Sequence, residues 1–196
     1  MTDYREQICR YIRNEIAVLN LLDVDAINDA LVLLADCMEK ERNIYIFGNG
    51  GSSATASHFQ NDFNKGVSEH TEKKFRFNCL NDNVATMMAV ANDIGFEEVF
   101  RFQLQGKLKS TDVIMAISGS GNSKNVLNAV TYAKEQGCTV IGLTGFDGGR
   151  LRALSDISLH VPVKSMQITE DLHMVFDHLM MSVFYKTMCG IEHIKE

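Results

Sequence analysis

The sequence predicts an open, mostly parallel α/β sheet preceded by a pair of amphipathic helices. From Asn43 onward, short apolar runs recur at Ile44–Phe47, Phe75–Leu80, Val113–Ile117, Val140–Leu143 and Ile157–Val161. Their hydrophobicity is continuous rather than alternating, as strands covered on both faces require. Helix-like stretches at Ser53–Phe63, Val84–Ile94 and Lys124–Gln136 separate the runs. Strands alternating with helices are the grammar of a parallel sheet.

In chain order, the first 42 residues read as helix throughout. Ile8, Tyr11, Ile12, Ile16 and Leu19 recur at three-to-four spacing, with charges on the other face. A second helix, beginning near Asp25, carries Ile27, Leu31, Leu34 and Met38 in the same way. Two such helices ahead of the first strand exceed what a bare α/β core needs. Their spare apolar surface points to a partner, most simply another copy of the chain. The strand and helix stretches follow, and a last long helix runs from about Gln167 to Met188. No repeat, low-complexity tract or linker interrupts this order, so residues 1–196 read as one domain with 1–42 as a helical extension.

Composition narrows the class. The 196 residues are 45% hydrophobic and 22% charged, which excludes wholesale disorder and fibrous repeats. No apolar run approaches the roughly 20 residues of a membrane span. The start, MTDYREQICRYIRNE, is charged throughout and lacks a signal core, so a cytoplasmic protein without membrane partners is expected. Net charge is −6 and no dense Lys/Arg cluster offsets it, so nucleic acid is not an expected partner. Cys9, Cys37, Cys79, Cys138 and Cys189 are odd in number and dispersed. They read as reduced, mostly buried thiols rather than a disulfide framework or a thiolate zinc site.

Chemistry is expected beyond the carboxyl ends of the strands, where such sheets bind ligands. Gly48-Asn49-Gly50-Gly51-Ser52-Ser53 follows the first run and Ser118-Gly119-Ser120-Gly121-Asn122-Ser123 the third, each directly before a helix. Thr144-Gly145-Phe146-Asp147-Gly148-Gly149 follows the fourth. Glycines let backbone approach a bound group, hydroxyls donate hydrogen bonds, and a helix N-terminus adds positive potential. That combination suits a phosphate, although any one such loop is also what ordinary turn chemistry produces. Neither serine-rich loop carries the Gly-Lys-Ser/Thr of a triphosphate site, and Ser53 stands where a dinucleotide fingerprint needs a third Gly or Ala. A phosphomonoester on a small molecule fits better than a nucleotide.

A second constellation lies on helices. His58 and Asp62, four apart, share a face of the helix after the first glycine loop. Glu170, Asp171, His173, Asp177 and His178 crowd onto the closing helix. Each group also reads as a solvated surface. Spacing leaves the functional pair open: Asp171 and His178 line up best, while Glu170 and His173 form another stripe.

At these residues the sequence resembles the SIS (sugar isomerase) domain family, most of all its phosphoheptose isomerase members. The resemblance rests on GNGGSSATASHF at 48–59, LNDNVATMMAVANDIGFEEVF at 80–100, AISGSGNSKNV at 116–126, GLTGFDGG at 142–149 and TEDLHMVFDH at 169–178. It implies a three-layer, flavodoxin-like fold with a five-stranded parallel sheet. It also implies a homotetramer with active sites between subunits. The implied reaction converts sedoheptulose 7-phosphate to an aldose heptose 7-phosphate for surface glycans. The implied phosphate loop is Ser118, Gly119, Ser120 and Ser123, with Ser52 from the first loop, whose Asn49, Gly50 and Gly51 also count among the implied substrate-binding residues. The implied base is Asp62, with His178 as acid–base partner and Asp93 and Asn49 on the sugar. Some relatives hold zinc, and the matching residues are His58, Asp62, Glu170 and His178. Glu170 also counts among the residues expected at the substrate.

Two positions depart from the family pattern. Asp62 stands where Glu is usual, one methylene nearer the backbone, and Glu170 stands where Gln is expected. An added carboxylate beside two imidazoles should make the site more attractive to zinc. The departures predict that metal matters more here, or that the substrate differs. The fold family also includes a tetrameric, non-enzymatic protein that binds the bacterial replication initiator. The helix carboxylate is absent from its pattern and present here as Asp62, which favours an enzyme. A phosphosugar sensor, keeping the phosphate loop without catalysis, is the remaining alternative.

Overall fold

The computed structural model describes residues 2–191. Its five strands are β1 (Ile44–Gly48), β2 (Phe77–Cys79), β3 (Val113–Ser118), β4 (Thr139–Thr144) and β5 (Ile157–His160). They form one parallel sheet in the order β2-β1-β3-β4-β5. The helices are α1 (Arg5–Leu19), α2 (Val24–Glu39), α3 (Gly51–Asn61), α4 (Val84–Asp93), α5 (Arg101–Leu104), α6 (Lys124–Glu135), α7 (Gly149–Leu154) and α8 (Met166–Met188). All five predicted runs become strands, each followed by the predicted change to helix or loop.

Alternation along the strands divides the core into two layers, because successive side chains point to opposite faces. Ile44 and Ile46 of β1 and Val113, Met115 and Ile117 of β3 pack with α2, α3 and α8. Tyr45, Phe47, Ile114 and Ala116 pack on the other face with α4, α5, α6 and α7. The three central strands β1, β3 and β4 are therefore covered on both faces, and their runs are apolar without interruption. The edge strands β2 and β5 depart from the expected continuity, with Asn78, Ser158 and His160 alternating with apolar residues and only partly buried.

The predicted N-terminal helical stretch breaks at residues 20–23, where Asp23 accepts a hydrogen bond from the Ala26 amide and caps α2. Strand β2 is shorter than its apolar run. Asn64 lies beside its Phe77 backbone, accepting from the amide and donating to the carbonyl, both at 2.8 Å. Phe75 is nevertheless buried, against Phe63, Phe77 and Phe184. The predicted helix over 53–63 ends its α-geometry at Asn61 and continues as a π-helical segment, Asp62–Val67. No apolar period marks that change. The segment is held by the Asn64 bonds and by Ser68, whose Oγ donates to the Phe63 carbonyl and accepts from the Phe75 amide. Such wide turns are rare and often found at functional sites.

Candidate active site

The strand order reverses direction at β1 and β3, and a crevice opens there beyond their carboxyl ends. Because Gly48 is in register with Ile117, the first glycine loop and the serine loop stand side by side. They line a cavity of about 170 Å³ formed by Asn49, Ser52, Ile117, Ser118, Gly119, Ser120, Ser123, Met166 and Glu170. Helices α3 and α6 both begin at this cavity, and neither Gly50 nor Ser123 gives its helix a side-chain cap. Two helix N-termini with amides to offer, plus serine hydroxyls, create positive potential in an acidic chain.

Local contacts fix these loops. Asn49 and Asn125 exchange side-chain amide hydrogen bonds at 2.8 Å each way, tying the first loop to the first turn of α6. Ser118 and Ser123 hydroxyls lie 3.1 Å apart across the second loop. Gly121 holds this loop against its neighbour: φ is +65°, and a Cβ there would stand 1.9 Å from the Gly148 carbonyl oxygen. Gly51 makes room for α8, since its Cβ would come within 2.7 Å of the Glu170 carboxylate.

A second centre forms where α3 crosses α8. His58 Nε2 is 3.1 Å from His178 Nε2, 3.4 Å from Asp62 Oδ2 and 3.7 Å from Asp177 Oδ2, while His178 Nε2 is 3.9 Å from Asp62 Oδ2. Donor atoms of these four residues all lie within 4.8 Å of one another. Asp62 is nearly buried and turns Oδ2 to the histidines, while the Asn61 side-chain amide donates to Oδ1. Asp177 is fully buried, and neither carboxylate oxygen has a hydrogen-bond partner. Burial, and then the negative charge of Asp62, push the Asp177 carboxyl up to about 8. Two imidazoles and two carboxylates are a donor set suited to a divalent metal ion.

The expected residues therefore fall into three groups. Asn49, Ser52, Ser118, Gly119, Ser120, Ser123 and Glu170 line the cavity, with Gly50 and Gly51 opening α3 beside it. His58, Asp62 and His178 come together in the donor cluster. Asp93 does not join them in this chain; it is exposed at the end of α4, accepting from the Asn92 side chain. Glu170, expected as the fourth metal donor, is not in the donor group; its side chain is at the cavity, two helical turns before His178.

The fourth member is Asp177, seen in the sequence only as part of a crowded stretch. Its neighbours in that stretch have other work. Asp171 accepts a hydrogen bond from Tyr11 of α1. His173 is buried with Nε2 3.3 Å from the Thr144 carbonyl oxygen, and burial lowers its pKa to about 4, so it is a neutral packing residue. An aspartate one step from a site histidine was the available signal for Asp177, but only the helix crossing distinguishes it from its neighbours.

Known proteins resemble this chain in sequence and fold. The SIS domain matches residues 7–145. Phosphoheptose isomerase of Coxiella burnetii (strain Dugway 5J108-111) is 38% identical over 175 residues, covering 88% of this chain and 87% of that protein. That of Helicobacter pylori (strain ATCC 700392 / 26695) is 36% identical, covering 80% and 81%. The structure of phosphoheptose isomerase from Neisseria gonorrhoeae superposes with a TM-score of 0.86 at 29% identity, covering 94% of this chain and all of that one. Fold and sequence thus agree, and the chain belongs to the phosphoheptose isomerase family of SIS-domain proteins.

Proposed function

We infer that this chain is an aldose–ketose isomerase converting sedoheptulose 7-phosphate into D-glycero-D-manno-heptose 7-phosphate for surface heptose biosynthesis. The observation that carries the reading is the 3.9 Å approach of Asp62 and His178, on the same two helices that reach the serine-lined cavity. Ser52, Ser118, Ser120 and Ser123 hold the phosphate, and Asn49 and Glu170 face the adjoining sugar. Helix length sets the reach: His58 lies six positions after Ser52 on α3, about 9 Å of rise. A seven-carbon chain with phosphate at one end and a carbonyl at the other bridges that gap, whereas a triose phosphate does not.

The chemistry moves a carbonyl from C2 to C1. Asp62 removes a proton from C1 of the ketose, and the C–H electrons become the C1–C2 double bond of an enediol while His178 protonates the former carbonyl oxygen. The O1 hydroxyl then gives up its proton as a proton returns to C2, leaving the aldose. A carboxylate and an imidazole perform both transfers when held within reach of the bound substrate. His58, Asp62 and His178 would hold a zinc ion, which when bound polarises the substrate oxygens.

The same reading includes four copies with active sites between subunits. Helix α1 supports it by exposing Ile8, Ile12, Ile16 and Leu19 along one side. Among the described residues, no helix is long and apolar enough to cross a membrane.

Incubation with sedoheptulose 7-phosphate, with and without zinc, tests the function by direct detection of the aldose. Asp62→Asn is expected to lose at least about 100-fold in kcat/KM, the scale of removing a general base. Near-normal turnover by that variant would refute the role of Asp62. Prolonged binding of unaltered ketose phosphate by the parent chain would favour a sensor instead.

A further inference from the structure

We propose that Asp177, not Glu170, is the fourth protein donor to a divalent cation held by His58, Asp62 and His178. The inference rests on the metal-binding part of the function above and changes which residue completes it. Zinc bound by nitrogen and oxygen at about 2.0–2.1 Å in a tetrahedron sets its ligand atoms about 3.3 Å apart. The four contacts found, 3.1, 3.4, 3.7 and 3.9 Å, bracket that edge. They join His58, Asp62, Asp177 and His178 through one atom each.

Asp177 carries the argument furthest. Its side chain is wholly removed from solvent, both oxygens lack a hydrogen-bond partner, and Oδ2 faces His58 Nε2. A buried carboxylate left without donors is costly in a folded chain. A dication supplies the missing partner and balances the two negative charges of Asp62 and Asp177, with both imidazoles neutral. Glu170 has a different position: it sits over the first turn of α3, among the residues of the phosphate cavity. Asp177 and Glu170 thus have separate stations, Asp177 on the cation and Glu170 on the substrate side.

The test is calorimetric titration of chelator-treated full-length protein with zinc chloride, using parent, Asp177→Asn and Glu170→Gln. The parent is expected to take one ion per chain. Asp177→Asn should weaken zinc by more than the ~10–100-fold that loss of an outer-shell partner costs, while Glu170→Gln should stay within about 3-fold. The reverse order, equal losses, or no loss in either variant would overturn the proposal. So would a parent chain that takes up no zinc. Circular dichroism checks that each variant is folded. Crystals of the parent grown with zinc give a readout free of any variant: an anomalous peak about 2.0–2.2 Å from an Asp177 oxygen is expected, and a peak bound by Glu170 instead refutes it. Because both readouts are binding, loss of isomerase activity with zinc affinity intact would count against the reaction and not against this site.

Discussion

Substituting Gly121 with alanine tests whether the serine loop is held by close backbone approach. A Cβ at this position would stand 1.9 Å from the Gly148 carbonyl oxygen, whereas real Cβ atoms keep at least 3.0 Å. One of the two loops must therefore retreat by about 1 Å, and displacements of that size can cost ~100-fold in rate when they shift bound substrate. The left-handed backbone, φ +65°, adds about 1–2 kcal/mol for any residue with a Cβ. Gly106→Ala is the internal control, because Gly106 also has a positive φ, +71°, but open space around its Cβ position. At about 2–4 °C of Tm per kcal/mol for a chain of this size, Gly106→Ala should lower Tm by about 2–8 °C and leave kcat/KM unchanged. Gly121→Ala should lower Tm further and reduce kcat/KM for the heptose phosphate by about 10–100-fold. Thermal unfolding and steady-state kinetics read the two effects separately. If both variants behave alike, the Gly121–Gly148 contact does not position the loop and the reasoning fails.

Other consequences follow from the same geometry. Ser120→Ala removes a hydroxyl from the cavity; it should raise KM several-fold with little change in kcat, and an unchanged KM with a reduced kcat would contradict its phosphate role. Ile12→Glu alters an exposed residue of α1; light scattering should show smaller species than the parent, with the far-ultraviolet spectrum preserved, and an unchanged mass would place the interface elsewhere. The folded Asp177 carboxyl sits near 8, raised by burial and then by Asp62, so the folded chain holds that proton more tightly than the unfolded one. Its contribution to stability is full below about pH 4 and is lost as pH rises through about 8. Chelator-treated protein should therefore show a urea midpoint that falls between about pH 5 and 9, and Asp177→Asn should flatten that fall. Equal slopes in the two proteins would refute the assignment.

Much of this molecule was legible in local sequence. The apolar runs marked the central strands because burial on both faces leaves no place for a polar side chain, and the edge strands β2 and β5 because their inward positions are still apolar. The Gly/Ser loops could be read because turns need glycine and anions need donors, and both needs are met by adjacent residues. His58 and Asp62 could be paired because helical geometry alone places positions four apart on one face. The π-helical turn at Asp62–Val67 could not be read, since it is held by Asn64 and Ser68 reaching the backbone around β2.

Strand positions, the Gly/Ser loops and the apolar face of each helix follow from residues within one strand or one turn of each other. Tertiary structure alone decided which side chains of α8 meet α3, because a helical period gives angles around an axis and says nothing of the neighbour. The crossing of α3 and α8 brings Asp177 and His178 to His58 and Asp62, and leaves Glu170 a dozen ångströms back along the helix by its ~1.5 Å rise per residue. No spacing within α8 could have made that choice.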